Sequence, residues 1–270
     1  MAVKLDGGVV IVTGASSGIG WAMAMQLAVR AKTLIVVARR EQRLLELKRK
    51  LLLKNPQLIV AVYRCDLSDM EALSKMVDDI QQKFPVIDAL INNAGLADIK
   101  LFHRADWEKL NLVLQVNIVA LTYLTRRLLP GMVKRKSGGV LNVSSGFGFG
   151  WLPFFDVYVG SKHYVTAFTD CLQLEMSGTG VTISQVCPGP VRTEFEEVSG
   201  NPFVKTPKWI EITPEYCAKK SIAGFVRGKS TIIPGIRSKV LLWLGALTPR
   251  WLQRLALAPF VRSIRKKIYP

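Results

Sequence analysis

Short apolar runs alternate with helix-period segments along most of this chain, and no other feature restricts the fold as much. Residues 9–12, 33–37, 58–63, 87–91, 140–143 and 181–186 read as buried strands, with a further one at 231–233. Between them, apolar residues recur with helical spacing over 19–30, 41–54, 69–83, 106–136, 156–176 and 214–227. Such alternation predicts an α/β fold built on a doubly wound parallel sheet. Sheets of this kind bind ligands beyond the carboxyl ends of their strands, so the end of the first strand is the place to look for a site.

Nothing in the composition divides the chain. Its 270 residues, 49% hydrophobic, can bury a sizeable core, and no linker, internal repeat or low-complexity tract interrupts them. Cys65, Cys171, Cys187 and Cys217 are widely spaced with no C-x-x-C, and the histidines are two, His103 and His163. That pattern argues against a disulfide framework and against a zinc site, and for reduced thiols in a cytoplasmic setting. The first strand begins within about eight residues, too soon after the start for a signal peptide. The formal charge of +17 is uneven: Glu215 is the last acidic residue, residues 216–270 carry 12 Lys/Arg, and +5 is left for the rest. A basic tail suits nucleic acid, an anionic membrane or an acidic partner.

The first strand runs into Thr13-Gly-Ala-Ser-Ser-Gly-Ile-Gly20. Gly14, Gly18 and Gly20 let the backbone turn tightly, approach a pyrophosphate and start a helix whose N-terminal N–H groups face the anion. The spacing is G-x-x-x-G-x-G, so the usual dinucleotide fingerprint does not apply letter for letter. The second strand ends in Val36-Val-Ala-Arg-Arg40. A site preferring NAD(H) would place an acid there for the ribose 2′-hydroxyl, whereas Arg39 and Arg40 can pair with a 2′-phosphate, which points to NADPH/NADP⁺. The plainer alternative is that the two arginines begin a solvated basic helix.

Further on stands Tyr158-Val-Gly-Ser-Lys162. On a helix this spacing sets a phenol and an ammonium one turn apart on one face. A free tyrosine titrates near pH ~10 and works as an acid–base group at neutrality only when a positive neighbour favours the phenolate. The pair alone also arises by chance on helix surfaces.

In chain order, the glycine turn, Cys65-Asp-Leu67, Asn92-Asn-Ala-Gly95, Asn117, Ser145, Tyr158 with Lys162, and Pro188-Gly-Pro-Val-Arg-Thr193 closely resemble the short-chain dehydrogenase/reductase family, from about residue 5 to about residue 195. The resemblance implies a Rossmann-like NADP(H)-binding catalytic domain, taken as residues 1–235, and the residues beyond it, 236–270, read as a basic amphipathic extension. It implies a catalytic set of Asn117, Ser145, Tyr158 and Lys162. Tyr158 would exchange a proton with the substrate oxygen, and Lys162 would hold the nicotinamide ribose and lower the tyrosine pKa. Ser145, with Ser144 as fallback, would donate to the reacting oxygen, and Asn117 would anchor a water leading to solvent. For the cofactor it implies Gly14, Ser16, Ser17, Gly18, Ile19, Gly20, Arg39, Arg40, Asp66 and Leu67, then Asn93, Ala94 and Gly95, then Pro188, Val191 and Thr193. Asp66 would reach the adenine, Asn93, Ala94 and Gly95 would line the adenosine side, and Val191 and Thr193 would hold the carboxamide. Plainer roles exist: Asp66 as a helix cap, Asn92 and Asn93 as a turn, Pro188 and Gly189 as a strand breaker. No metal is implied, and His103 and His163 read as surface or packing residues. Gly160, where the family often has alanine, and Trp21 after the turn are departures that remove no chemical group.

Substrate contacts in the family come from the segment after the Pro-Gly motif and from the C-terminus. Here residues 194–213, with Phe195, Phe203 and Trp209, read as a lid, and Phe147, Phe149, Trp151, Phe154 and Phe155 suggest a greasy pocket for a lipid, acyl-chain, steroid or retinoid-like ketone or aldehyde. Ordinary core packing is the alternative. Ketoacyl reductases of the family close soon after the last strand; this chain continues from Pro234-Gly-Ile-Arg-Ser-Lys239 for about thirty residues, which puts their tetramer packing in doubt. On a helical wheel Trp251, Leu252 and Leu255 oppose Arg250, Gln253 and Arg254, and after Pro259 Phe260, Ile264 and Ile268 oppose Arg262, Arg265 and Lys266. Such helices suit an anionic bilayer surface, or a homodimer or other protein face; the density of Leu and Trp disfavours nucleic acid. The apolar run 240–247 is too short to span a bilayer. The expected function is NADPH-dependent carbonyl reduction, the direction following from the NADPH/NADP⁺ ratio of cytosol. The rival is a non-catalytic NADP(H)-binding scaffold at a membrane, which would not need Ser145, Tyr158 and Lys162 together.

Overall fold

The computed structural model describes residues 3–200 and 208–268. Seven strands, β1 Val9–Thr13, β2 Thr33–Ala38, β3 Ile59–Arg64, β4 Ala89–Asn92, β5 Gly138–Val143, β6 Val181–Val186 and β7 Thr231–Ile232, form one parallel sheet in the order β3-β2-β1-β4-β5-β6-β7. The order reverses between β1 and β4, which opens a crevice above their carboxyl ends. Alternate residues of one strand feed opposite cores: Val10, Val12, Leu34 and Val36 pack on one side, and Ile11, Ile35, Val37 and Leu90 on the other. This two-sided burial is why the strands read as continuous apolar runs instead of alternating ones.

The helices α1 Gly18–Leu27, α2 Glu41–Lys54, α3 Met70–Lys83, α4 Trp107–Leu114, α5 Leu121–Lys134, α6 Asp156–Glu175, α7 Phe195–Val198, α8 Pro214–Val226, α9 Ile236–Leu247 and α10 Arg250–Ile268 complete the fold. One expectation changes. The stretch 106–136 is not one regular helix: α4 and α5 are joined by a wide π turn, Gln115–Ala120, which carries Asn117. In the tail, α10 runs through Pro259. The stretch Trp107–Arg135 is apolar and long enough to cross a membrane by length and composition, yet Val116, Leu124 and Leu128 are buried in the core beneath the sheet. Trp21 lies between the cations of Arg43 and Lys50, at 5.3 and 5.1 Å from its ring centroid, and a Cβ on Gly160 would meet open space. Neither departure disturbs the packing. All four cysteines are free thiols.

Candidate active site

At the end of β1 the chain turns through Gly14 (φ 65°) and Gly18 (φ 54°) into α1. A Cβ on Gly14 would fall 2.8 Å from both the Ala94 Cα and Asn93 Nδ2, so only glycine fits. Asn93 braces the turn. Its Nδ2 donates to the Thr13 carbonyl at 2.9 Å, and its N–H and that of Ala94 each donate to Thr13 Oγ1 at 3.0 Å. Asn93 also borders the cavity described below, while its Nδ2 holds β4 against the glycine turn.

The arginines after β2 face this turn. Arg40 donates from Nε and Nη2 to Ser16 Oγ at 3.4 Å and from Nη1 to Glu194 Oε2 at 2.8 Å, while Arg43 reaches the other oxygen of Glu194 at 3.5 Å. Arg39 stands 3.9 Å from Asp66 Oδ2. Asp66 accepts from the N–H and Oγ of Ser68 at 3.0 and 2.7 Å, and the cap of α3 is Asp69. Glu194 escaped the sequence reading. It ties the Pro-Gly segment back to α2 across 154 residues, and nothing in its local sequence signals that.

Tyr158 and Lys162 sit one turn apart on α6 and are 8% and 4% exposed. Lys162 Nζ donates to the Val143 carbonyl at 2.9 Å and lies 5.6 Å from the centroid of the Tyr158 ring. The Ser145 hydroxyl is a hydrogen-bond partner of the phenol and also accepts from the Phe147 N–H at 3.2 Å. Ser144 turns away, donating to the Lys162 carbonyl at 3.1 Å and sharing a hydrogen bond with Thr166 Oγ1 at 2.8 Å, so of the two serines it is Ser145 that the fold brings to the tyrosine. Asn117 stands behind this group. It grips the Leu96 backbone on both sides, accepting its N–H at 2.8 Å and donating to its carbonyl at 2.9 Å, and donates to Ser161 Oγ at 2.9 Å.

Burial dominates the electrostatics of the site. Burial pushes the Tyr158 phenol up to about 12, opposed by the hydrogen bond from Ser145, and burial pulls the Lys162 ammonium down to about 8. Desolvation disfavours both charged forms and is the largest influence on each. Burial also pushes the Cys187 thiol up to about 12, so it stays neutral beside Lys162.

One cavity of about 840 Å³ joins these parts. Of the catalytic and cofactor residues expected from the sequence, all line it except Gly20, behind the turn, and Asn117. Around Tyr158 its walls are aromatic, with Phe195 at 5.5 Å and Phe147 at 6.3 Å between ring centroids. Phe149, Trp151 and Phe155 also line it. Phe154 does not: held at φ 76°, it packs on Phe260 of α10, 6.2 Å between centroids. Trp209 is exposed and off the cavity, and Phe203 lies outside the described residues.

The tail supplies another wall, as the resemblance led one to expect of the C-terminus. Leu242 and Leu257 line the cavity, and Leu242 approaches to 3.2 Å of where a Cβ on Gly146 would stand, next to Ser145. Ser238 packs on Gly189 so closely that a Cβ there would collide with it, and Ile264 is buried in the cluster containing Tyr158 and Phe155. Gln253, expected on the polar side of its helix, instead lines the cavity and donates to the Gly245 and Thr248 carbonyls at 2.8 and 2.9 Å, fixing the turn between α9 and α10.

Residues 8–201 match the short chain dehydrogenase family. The chain is 34% identical over 260 residues to an 11-beta-hydroxysteroid dehydrogenase-like 4A of Arabidopsis thaliana, covering 92% of this chain and 83% of that protein. It is 33% identical over 195 residues to a fatty acyl-CoA reductase of Acinetobacter baylyi, covering 70% of this chain and 64% of that one. A short-chain dehydrogenase from Sphingobium yanoikuyae, solved with NADPH, superposes with a TM-score of 0.79 at 28% identity, over 87% of this chain and 91% of that one.

Proposed function

This chain belongs to the short-chain dehydrogenase/reductase family, oxidoreductases of alcohol and carbonyl groups that use a nicotinamide cofactor, and we propose that it is an NADPH-dependent reductase of apolar ketones or aldehydes. One observation carries the cofactor choice: at the end of β2 the Arg40 guanidinium lies against Ser16 of the glycine turn, where an acid would be needed to hold a ribose 2′-hydroxyl. The Sphingobium relative solved with NADPH points the same way. The substrate class rests on the aromatic walls around Tyr158 and on the hydroxysteroid dehydrogenase-like and fatty acyl-CoA reductase relatives.

The residues fit such a cofactor. Ser16, Ser17, Gly18 and Ile19 at the start of α1 would hold the pyrophosphate, where unpaired N–H groups and the helix dipole favour an anion. Arg39 and Arg40 would hold the 2′-phosphate, Asp66 and Leu67 the adenine side, and Pro188, Val191 and Thr193 the carboxamide. The nicotinamide, when bound, supplies the hydride.

The chain handles the proton. Tyr158 gives its phenolic proton to the carbonyl oxygen, and the Ser145 hydroxyl donates to the same oxygen as negative charge grows on it. Proton transfer leaves a phenolate that burial opposes, and a charged Lys162 one turn away offsets that cost. Because the Asn117 amide is committed to Leu96 and Ser161, a water reached through Asn117 would be held by the main chain of the π turn, a distortion often found at functional sites.

Two variants test the reading. Tyr158→Phe is expected to keep NADPH affinity and lose turnover by about 10²–10⁴-fold. Arg39→Asp or Arg40→Asp is expected to raise the Kd for NADPH at least about tenfold, as loss of a charged hydrogen bond does, with a much smaller change for NADH. Unchanged turnover in the first would sink the mechanism, and equal losses for both cofactors in the second would sink the NADPH assignment.

A further inference from the structure

The hairpin of α9 and α10 carries apolar side chains on two opposite faces. Inward, Ser238, Leu242 and Leu257 border the catalytic cavity, and Ile264 is buried beside Phe155 and Tyr158. Outward, Ile236, Val240, Trp243, Leu244 and Leu247 follow one another at helical spacing along α9, and all are exposed. Trp251 and Leu255 extend the strip onto α10; these two with Trp243 and Leu247 are 62–65% exposed. A helix apolar all round is ordinarily covered on every side, and a continuous exposed apolar strip marks an interaction surface.

The charge around the strip identifies what covers it. Arg237, Lys239, Arg250, Arg254 and Arg262 are exposed on the same two helices, and no acidic residue follows Glu215 to balance them. Leucines and tryptophans flanked by cations alone match a bilayer interface bearing anionic headgroups. Neither α9 nor α10 is long and apolar enough to cross a membrane. We propose that the α9–α10 hairpin lies flat on an anionic lipid surface, with Trp243, Leu247, Trp251 and Leu255 in the headgroup boundary. Because the other face of the same hairpin walls the cavity, substrate dissolved in the lipid enters toward Tyr158 past Leu242 and Leu257. The docking stands on the surface alone, and the entry route rests on the apolar-substrate reading above.

The test uses the full chain with phosphatidylcholine vesicles, with and without phosphatidylserine. The protein is expected to co-sediment at least about tenfold more strongly with the anionic vesicles and to lose that advantage in high salt. A variant carrying Trp243→Ser, Leu247→Ser, Trp251→Ser and Leu255→Ser touches no cavity residue. It is expected to lose vesicle binding while keeping NADPH affinity and turnover of a water-soluble ketone. Arg250→Glu with Arg254→Glu should abolish the preference for anionic lipid. Docking is overturned if wild type ignores both vesicle types, if the serine variant binds as wild type does, or if the strip proves to hold two copies of the chain together in sedimentation without binding lipid. Entry from lipid is overturned separately if wild type docks yet reduces a vesicle-borne apolar ketone no faster than the undocked variant. If neither protein reduces any apolar ketone, the substrate reading fails and the docking result stands.

Discussion

Around the glycine turn and Tyr158, the polar side chains are paired within the fold: Asn93 with Thr13, Asn117 with Leu96 and Ser161, Lys162 with Val143, Arg40 with Ser16 and Glu194. The hairpin that closes the same cavity from the other side is held by apolar packing, Leu242 near Gly146 and Ile264 and Phe260 among the aromatics, with Ser238 Oγ buried and without a partner. Hydrogen bonds fix positions to fractions of an ångström, as proton transfer requires. Apolar contacts tolerate repacking more readily, as a wall on the proposed route of entry requires. The contrast teaches that one cavity can be pinned by hydrogen bonds around Tyr158 and closed by apolar packing on its other side.

Breaking the rigid side should have the largest effect. Lys162→Met is expected to cut turnover by at least about a hundredfold, and yet to stabilise the fold near neutrality by removing a buried ammonium. The sign follows from linkage: Lys162 titrates at about 8 when folded, against 10.5 unperturbed. Between those values the unfolded chain holds the proton and the folded one does not, so wild-type stability rises with pH through that window. The variant's advantage in melting temperature should therefore be greatest below pH 8 and shrink above it; a constant difference from pH 7 to 10 would show that Lys162 is not desolvated.

A smaller effect is expected where the two sides meet. Gly189→Ala puts a methyl into Ser238 and should cost ~1–3 kcal/mol, as overpacking does. It should also raise KM for a long apolar ketone more than for a short one, because α9 is displaced from the cavity. Adding Ser238→Gly should restore both, and failure of that rescue would detach the hairpin from the site. The smallest effect belongs to the exposed clasp. Glu194→Gln frees Arg40 and Arg43 from a carboxylate that competes with a phosphate, so NADPH should bind a few-fold more tightly, in keeping with the modest strength of exposed ion pairs. Titration with NADPH and NADH should show the gain for the first cofactor only.

How much was legible follows from how local each signal is. Continuous apolar strands, the glycine positions and the Tyr158–Lys162 spacing depend on backbone geometry within a few residues, so the parallel sheet, the glycine turn and the placing of Tyr158 and Lys162 one turn apart could be read directly. The resemblance to the family then added Ser145, Asn117 and the Pro-Gly segment, which no spacing argument links. The commitment of the Asn93 amide to Thr13, the clasp of Glu194 on Arg40 and Arg43, and the inward side of Gln253 could not be read. Each depends on which distant segment arrives at a given face, and many sequences with the same local pattern would place it otherwise. The tail shows the division most clearly. Its sequence determined a basic amphipathic extension without acidic residues, whose apolar run 240–247 is too short to span a bilayer. Only the tertiary structure decided that it folds back over Tyr158, because a segment with apolar side chains on more than one face has no local preference for which face it buries, and the space beside Gly146, Gly189 and Phe154 makes that choice.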